Sequence, residues 1–119
     1  MPAQKNSLRD RLARSREINI SVTGRKSGRT ISNPVWFVSD DEKLYLLPAR
    51  GSDTQWYKNV LKKPVIRIKA GGAEGEFKVV SVTDAKHVSP VIDKFRAKYG
   101  DSGLKLYAKL DVAVVAKMQ

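Results

Sequence analysis

Residues 18–38 read INISVTGRKSGRTISNPVWFV and decide the fold, because they hold two β-strand patterns on either side of a short turn. Apolar and polar residues alternate from Ile18 to Thr23, which is the period of a half-buried strand. The second pattern runs from Thr30 to Val38, and its Pro34 predicts an edge position or a bulge. Two strands joined by so short a turn predict an antiparallel hairpin.

The turn between these strands is Gly24–Arg29, GRKSGR, which places three positive side chains on one bend. Its glycines let the backbone bend and approach a ligand closely. N–H groups turned inward, with the cations around them, would form a nest that binds phosphate or another clustered anion. Taken alone, these six residues favour a solvated hairpin turn. The other features of the chain shift the interpretation towards an anion site.

The rest of the chain predicts four further strands and three helices around this hairpin. A basic helix precedes it at Ser7–Arg16. After the hairpin, strands are predicted at Leu44–Leu47, Ile66–Ile68, Phe77–Val82 and Asp111–Ala116, and helices at Asp53–Lys63, capped by Asp53, and at Ser89–Gly100, capped by Ser89. A hairpin loop is predicted at Gly71–Gly75, and residues 101–110 allow no assignment. Six strands with short connections predict an antiparallel barrel, so the fold class is mainly β with flanking helices, and residues 1–119 are expected to form one domain.

The charge of the chain limits its partners. Its 119 residues include 23 Lys and Arg against 12 Asp and Glu, a net charge of +11. Such a surface attracts nucleic acid, anionic lipid, or a ligand that carries phosphates and carboxylates. Because the chain has no cysteine, disulfides and thiol catalysis are excluded, and a cytoplasmic location is expected. The polar, basic residues 1–16 lack the apolar stretch of a signal peptide and would allow a peripheral membrane contact.

Side chains that could carry out catalysis on their own are scarce. The single histidine, His87, has Asp84 and Ser89 nearby in sequence, but nothing indicates that the three converge on a substrate. No metal-ligand cluster, phosphate-binding loop or dinucleotide fingerprint has the required spacing. An enzyme with this sequence would therefore depend on a bound organic cofactor, which the protein holds and orients.

Four motifs, taken in order, resemble the deazaflavin-dependent nitroreductase family. They are TGRKSG at Thr23–Gly28, NPVWF at Asn33–Phe37, WYKNV at Trp56–Val60 and the pair Pro64-Val65. The resemblance implies a six-stranded split β-barrel like that of the flavin-binding pyridoxamine-phosphate oxidases. It also implies binding of coenzyme F-420, an 8-hydroxy-5-deazaflavin with a phosphate-linked, glutamate-rich tail. Enzymes of this family pass a hydride to a small-molecule electron acceptor such as a quinone, a nitro compound or an activated enone.

The resemblance also implies which residues contact the cofactor. The implied contacts are, for the phosphate and tail, Arg25, Lys26, Ser27 and Arg29; for the ring, Asn33 and Pro34; for both, the loop residues Ala49, Arg50 and Gly51; and, on the helix that would close the site, Trp56 and Asn59. Trp56 is equally compatible with a plain core position. Tyr107 falls near the place where the family has aromatic residues facing the substrate, and it is the one catalytic candidate, with a packed or exposed tyrosine as the alternative.

Two departures from the family pattern leave other functions open. The turn is shorter, because Gly28-Arg29-Thr30 lacks an extra residue and a proline, and the loop before Trp56 is short as well. A trimmed site would suit FMN in a split-barrel reductase or oxidase. A third interpretation is a non-enzymatic barrel that binds nucleic acid through its positive charge. Barrels of this kind are often dimers, so a homodimer is a further expectation.

Overall fold

The computed structural model describes residues 11–12, 15–40 and 43–117. Its strands are β1 (Glu17–Thr23), β2 (Thr30–Ser39), β3 (Lys43–Leu46), β4 (Val65–Ala70), β5 (Ala73–Val82) and β6 (Ala113–Lys117), and its longer helices are α1 (Gln55–Lys62) and α2 (Ala85–Leu104). A 3-10 turn, Gly51–Asp53, precedes α1. No helix in this part of the chain combines the length and the apolar character needed to span a membrane.

The six strands close into a barrel. They follow the order β1-β2-β3-β6-β5-β4, and β4 pairs back with β1. Every neighbouring pair is antiparallel. The six-stranded antiparallel barrel predicted from the sequence is therefore confirmed. The pairs β1–β2, β2–β3 and β4–β5 have short connections, whereas β3 and β4 do not pair and β6 inserts between β3 and β5 after the long helix α2.

The barrel interior is filled by alternate residues of the strands. On β1, Ile18, Ile20 and Val22 are buried, and the polar residues between them point outward. The other interior side chains include Phe37, Leu44, Leu46, Ile66, Ile68, Val114 and Ala116 from the strands and Trp56, Tyr57 and Val60 from α1. Burial of each large apolar side chain contributes about 1.5–3 kcal/mol. The alternation in the sequence therefore identifies the inward face of the barrel.

Helix α2 packs on the outer face of β2 and β3 and forms a second core. The ring of Trp36 stacks on that of Tyr99, with centroids 4.3 Å apart and planes 5° apart. The Tyr99 hydroxyl accepts a hydrogen bond of 3.1 Å from the backbone N–H of Phe37. Phe95, which is fully buried, contacts both Tyr99 and Tyr107. These contacts fix α2 against the outer side of β2.

Strand β2 has one free edge over most of its length. β1 pairs with residues Thr30–Trp36 of β2, whereas β3 pairs only with Phe37–Ser39. Pro34 lies in the part of β2 that pairs only with β1. Proline has no backbone N–H, and no strand pairs with the opposite side of β2 here, so no hydrogen bond is lost on that side. The predicted edge position is confirmed, and this open edge forms one wall of the site described below.

The start of α2 differs from the prediction. The helix begins at Ala85, so Ser89 does not cap it and Pro90 lies inside it. Pro90 is exposed and removes one backbone N–H near the first turns, while the buried Val88 and Val91 hold this end against the barrel. The helical geometry breaks at Gly100 (φ 79°, ψ 171°), where the sequence predicts its end, and one further turn follows.

One predicted loop and one predicted helix cap also differ from the structure. The predicted loop Gly71–Gly75 is only a two-residue turn, because the two glycines at 71 and 72 adopt positive φ and let the β4–β5 ladder begin at Ala73. Asp53 does not cap α1, since it ends the 3-10 turn and Thr54 occupies the N-cap position.

The N-terminal helix and the last strand also differ from the prediction in their bounds. Within the predicted helix Ser7–Arg16, residues 11 and 12 are helical, whereas Ser15 and Arg16 are not. The remainder of that helix, and most of the basic arm at residues 1–16, lies outside the described residues. β6 begins at Ala113, two residues later than predicted.

Candidate functional site

A concavity lined by sixteen residues, here called the main pocket, lies beside the free edge of β2. It has a volume of about 490 Å³, within the range of about 300–1,000 Å³ typical of small-molecule sites. Its lining residues come from β1, β2, the 47–56 segment, α1 and the segment after α2: Glu17, Ile31, Asn33, Pro34, Val35, Trp36, Leu47, Ala49, Arg50, Asp53, Thr54, Gln55, Trp56, Asn59, Leu106 and Tyr107. Most of this surface is apolar or aromatic, which suits a planar ring.

The main pocket also has polar side chains, among them two carboxylates, Glu17 and Asp53, and one cation, Arg50. Arg50 is the one cation among its described lining residues, and its backbone N–H donates to Thr54 Oγ1 at 2.8 Å. Asp53, on the same loop, pairs with Lys109 at 3.5 Å. Among residues 15–40 and 43–117, no carboxylate forms an ion pair with Arg50. Its charge is therefore free for an anionic or electron-rich part of a ligand.

Aromatic side chains form a second wall of the main pocket. Tyr107 meets the edge of Trp36, with centroids 6.3 Å apart, and packs against Phe95 at 6.2 Å. Burial, and after it the neighbouring Tyr99, raises the pKa of Tyr107. The Tyr107 hydroxyl therefore stays protonated at neutral pH and can donate a hydrogen bond to a ligand oxygen.

A second concavity, here called the basic depression, lies at the predicted anion-binding turn. It is lined by residues Thr23–Gly28 together with Lys62 and Lys63, and its volume is about 540 Å³. Four of the lining residues are cations, and none of the described ones is a carboxylate. The end of α1 thus adds two lysines to the turn, which raises the local positive potential.

Arg25 joins the turn to α1. Its Nη1 donates to Asn59 Oδ1 at 2.7 Å, and its Nη2 donates to Gln55 Oε1 at 2.9 Å. The backbone N–H of Arg25 donates to the same Asn59 oxygen at 3.1 Å. Because both side-chain acceptors are neutral amides, these bonds orient the guanidinium without cancelling its charge. Lys62 Nζ also donates to the Arg25 carbonyl at 3.3 Å.

Asn59 connects the two concavities. It is only 4% exposed and is the buried polar residue of the core. The same side chain lines the main pocket and holds Arg25 of the basic depression. A ligand with a ring in one concavity and an anionic arm in the other would therefore contact a single rigid unit.

The structure brings most of the sequence-predicted site residues into these two places. The main pocket contains Asn33, Pro34, Ala49, Arg50, Trp56, Asn59 and Tyr107, and the basic depression contains Arg25, Lys26 and Ser27. Trp56 is 6% exposed in the core and also lines the main pocket, and its contact with a cofactor stays a prediction. Arg29 is exposed and lines neither concavity. Gly51 is buried against Asp111, where a Cβ would overlap the carboxylate.

Sequence reasoning missed several residues of the site. Lys62 and Lys63 are visible as a basic pair, but their position at a helix end explains them equally well as partners of the helix dipole. Gln55 gives no signal of its own, because its partner Arg25 is 30 positions away. Leu106 lies in the segment for which the sequence allows no assignment.

Comparison with solved structures gives the class of fold. The structure of an F420-H2 dependent reductase, FDR-A, matches with a TM-score of 0.66 at 17% identity over 85% of this chain and 93% of that chain. A chain described as a domain-swapped dimer matches with a TM-score of 0.69 at 15% identity over 98% and 99%. HutZ, the heme storage protein from Vibrio cholerae, matches with a TM-score of 0.69 at 13% identity over 94% and 87%. Identities this low show the fold alone, and that fold is the split β-barrel.

The sequence itself then gives the family. Residues 9–116 match the DUF2255 family, described as an uncharacterized protein conserved in bacteria, and the chain belongs to this family. No curated protein sequence matches the chain. The split-barrel fold that the motif resemblance implies is confirmed, and the deazaflavin-dependent nitroreductase family stays a resemblance. One similar chain is described as a dimer, and a homodimer stays a prediction for this one.

Proposed function

We propose that this protein is an oxidoreductase that binds coenzyme F-420 and passes its hydride to a small electrophile such as a quinone, a nitro compound or an activated enone. The observation that carries the proposal is the adjacency of the main pocket and the basic depression, joined by Asn59. The main pocket suits a planar ring, and the basic depression suits an anionic arm. When bound, the reduced deazaflavin would supply the hydride.

The main pocket fits the ring of such a cofactor. Its apolar walls would exclude water from the ring, and the free edge of β2 offers backbone groups that could pair with the polar edge of a heterocycle. Arg50 would place positive charge near an electron-rich ring edge, where preorganised charge is most effective. Tyr107 would donate a hydrogen bond to an oxygen of the ligand or the acceptor.

The basic depression fits the tail. Lys26, Lys62 and Lys63 are exposed there and can reach a ligand, while Arg25 is held in place by α1. A hydrogen bond to a charged group contributes about 1.5–3 kcal/mol, so several such contacts would account for tight binding. Four cations match a ligand with several anionic groups better than a ligand with one phosphate, which favours F-420 over FMN.

FMN remains the second candidate, because its ring would fit the same apolar pocket and its phosphate could reach the basic depression. Nucleic-acid binding is supported less well. The rings of Trp36, Trp56 and Tyr107 are buried or half-buried, and a stacking platform for bases needs exposed aromatic faces interleaved with cations.

The test is an equilibrium titration of the purified protein with F-420, with FMN and with duplex DNA. The informative variant is Lys26→Glu with Lys63→Glu, since both side chains are exposed and neither holds Arg25. The matched control is Lys86→Glu with Lys117→Glu, which changes the net charge equally at exposed positions outside both concavities.

We expect wild type and control to bind F-420 alike, and the Lys26/Lys63 variant to bind about tenfold more weakly or worse. Equal affinity of both variants would contradict the assignment of the tail to the basic depression. If the protein binds FMN but not F-420, the proposed cofactor is wrong and FMN takes its place. Tight binding of DNA with no response to either flavin would overturn the proposal.

A further inference from the structure

One wall of the main pocket consists of two irregular segments that are far apart in sequence. Residues 49–54 carry Arg50, and residues 105–111 carry Tyr107. They are held together by a parallel bridge between Arg50 and Lys109 and by a hydrogen bond of 2.8 Å from the Ala108 N–H to the Ala49 carbonyl. Neither segment belongs to the barrel ladder, so the position of this wall depends on the contacts between them and on the packing of Tyr107 against Trp36 and Phe95.

The side chain of Asp111 also joins the two segments. Its Oδ1 accepts a hydrogen bond of 2.9 Å from the Ser52 N–H, and its Oδ2 accepts one of 2.7 Å from the Ser52 hydroxyl. Gly51 adopts a positive φ of 56° beneath this carboxylate, and any Cβ at that position would overlap Asp111 Oδ1. The backbone at Gly51 and Ser52 therefore leaves just enough space for the Asp111 carboxylate and donates to it.

The charges around Asp111 complete the arrangement. Lys109 Nζ lies 3.7 Å from Asp111 and 3.5 Å from Asp53, so one lysine engages both carboxylates of this wall. Partial burial alone would raise the pKa of Asp111, but the two bonds from Ser52 and the charge of Lys109 lower it below its usual range. Asp111 is thus ionised at neutral pH, and Asp53 is drawn to Lys109 while Arg50 keeps its charge free.

We propose that Asp111 is the positioning residue of the main pocket. By holding Ser52 it fixes residues 49–54 against residues 105–111, and this fixes Arg50 and Tyr107 around the space that a ligand ring occupies. The inference rests on the proposed function for the identity of the ligand. The geometry of the wall can be measured without any ligand.

The experiment compares Asp111→Ala with Asp111→Asn. The asparagine can still accept from the Ser52 N–H and can donate its amide to the Ser52 hydroxyl, whereas the alanine loses both bonds. Asp93→Ala is the matched control, because Asp93 is an exposed carboxylate that pairs with Arg96 at 2.8 Å, away from the pocket. Urea unfolding of the three variants and of wild type first establishes conditions under which all four proteins are folded to the same fraction, and the comparison is made there.

Two readouts report on the wall itself. Trp36 and Trp56 are the only tryptophans of the chain and both line the main pocket, so acrylamide quenching of their fluorescence measures access to it. Amide exchange of Ser52, followed by NMR, measures the hydrogen bond directly. We expect Asp111→Ala to raise the quenching constant and to speed Ser52 exchange about tenfold, while Asp111→Asn and Asp93→Ala resemble wild type.

The third readout is F-420 affinity. We expect Asp111→Ala to weaken binding about fivefold or more and Asp111→Asn to restore it. Unchanged quenching and exchange in Asp111→Ala would overturn the positioning role, as would an affinity loss that the asparagine does not rescue. If wild type fails to bind F-420 while the quenching and exchange results appear as expected, the proposed cofactor is wrong and the role of Asp111 stands.

Discussion

The main pocket and the basic depression meet at Asn59 but are built in opposite ways. The pocket draws its walls from five parts of the chain, and its aromatic wall rests on the buried Phe95. The depression is lined by Thr23–Gly28 and by two lysines at the end of α1, and its charged groups are largely exposed. The shape of the pocket therefore depends on core packing, whereas the charge of the depression depends on local side chains.

Because of this difference, substitutions in the main pocket and in the basic depression should affect different properties of the protein. Exposed substitutions away from special features change stability by less than about 0.5 kcal/mol, while loss of a buried aromatic ring costs several times more. Changes that spoil the pocket should therefore lower stability and ring binding together. Changes in the exposed lysines of the depression should alter anion binding alone.

The largest effect is expected for Phe95→Ala, which removes the fully buried ring behind Tyr107. The cavity left behind should lower the free energy of unfolding by about 3–5 kcal/mol, as measured by urea denaturation. Val80→Ala is the control, because Val80 is 67% exposed on β5 and should stay close to wild type. A loss for Phe95→Ala no larger than that of the control would show that the pocket wall does not rest on this core.

An intermediate effect is expected at Asn59, where the two concavities join. Asn59→Leu removes the acceptor of the Arg25 N–H and guanidinium, and a buried donor left without a partner costs about 1–3 kcal/mol. Asn59→Asp keeps an acceptor for both donors and adds an opposite charge next to Arg25, so it should retain more stability than the leucine variant. Thermal unfolding of the two variants measures the difference. Equal stability of the two would contradict the role of this hydrogen bond.

The smallest effect is expected at Lys98, outside both concavities. Its Nζ donates to the Phe37 carbonyl at 2.9 Å, and burial, followed by the nearby charge of Arg16, lowers the pKa of Lys98 to about 8 from 10.5. Above that pH the folded protein loses this proton while the unfolded chain keeps it, so the unfolded state binds more protons and stability rises with pH.

The rise should appear in urea midpoints between about pH 8 and 10, and Lys98→Met should remove it because methionine has no titratable group. F-420 affinity should not differ between wild type and Lys98→Met across the same interval. A midpoint that falls with pH in wild type, or a slope that persists in the methionine variant, would count against the lowered pKa.

The barrel was accessible from the sequence because its strands are specified locally. The alternation at Ile18–Val22 and the open edge marked by Pro34 need no distant partner to be recognised. The helix start at Ala85 was not accessible, since Ser89-Pro90 is a good local start and only the packing of Val88 and Val91 on the barrel overrides it. Local signals decide element type well, and tertiary packing decides the boundaries.

The site was accessible only in part for a related reason. Resemblance to ordered motifs pointed to the turn and to Asn33, but the contacts that assemble the two concavities span long distances in sequence. Ser52 and Asp111 are 59 positions apart, and Arg25 and Asn59 are 34 apart. A side chain whose role depends on such a partner carries no distinctive pattern of its own.

The central claim is that the main pocket and the basic depression form one binding site. A crystal structure of the protein soaked with F-420 tests it most directly. The account predicts the ring between Trp36 and Arg50 and the anionic tail against Lys26 and Lys63. A ring bound elsewhere, or a tail that leaves the basic depression empty while the ring fills the pocket, would contradict it.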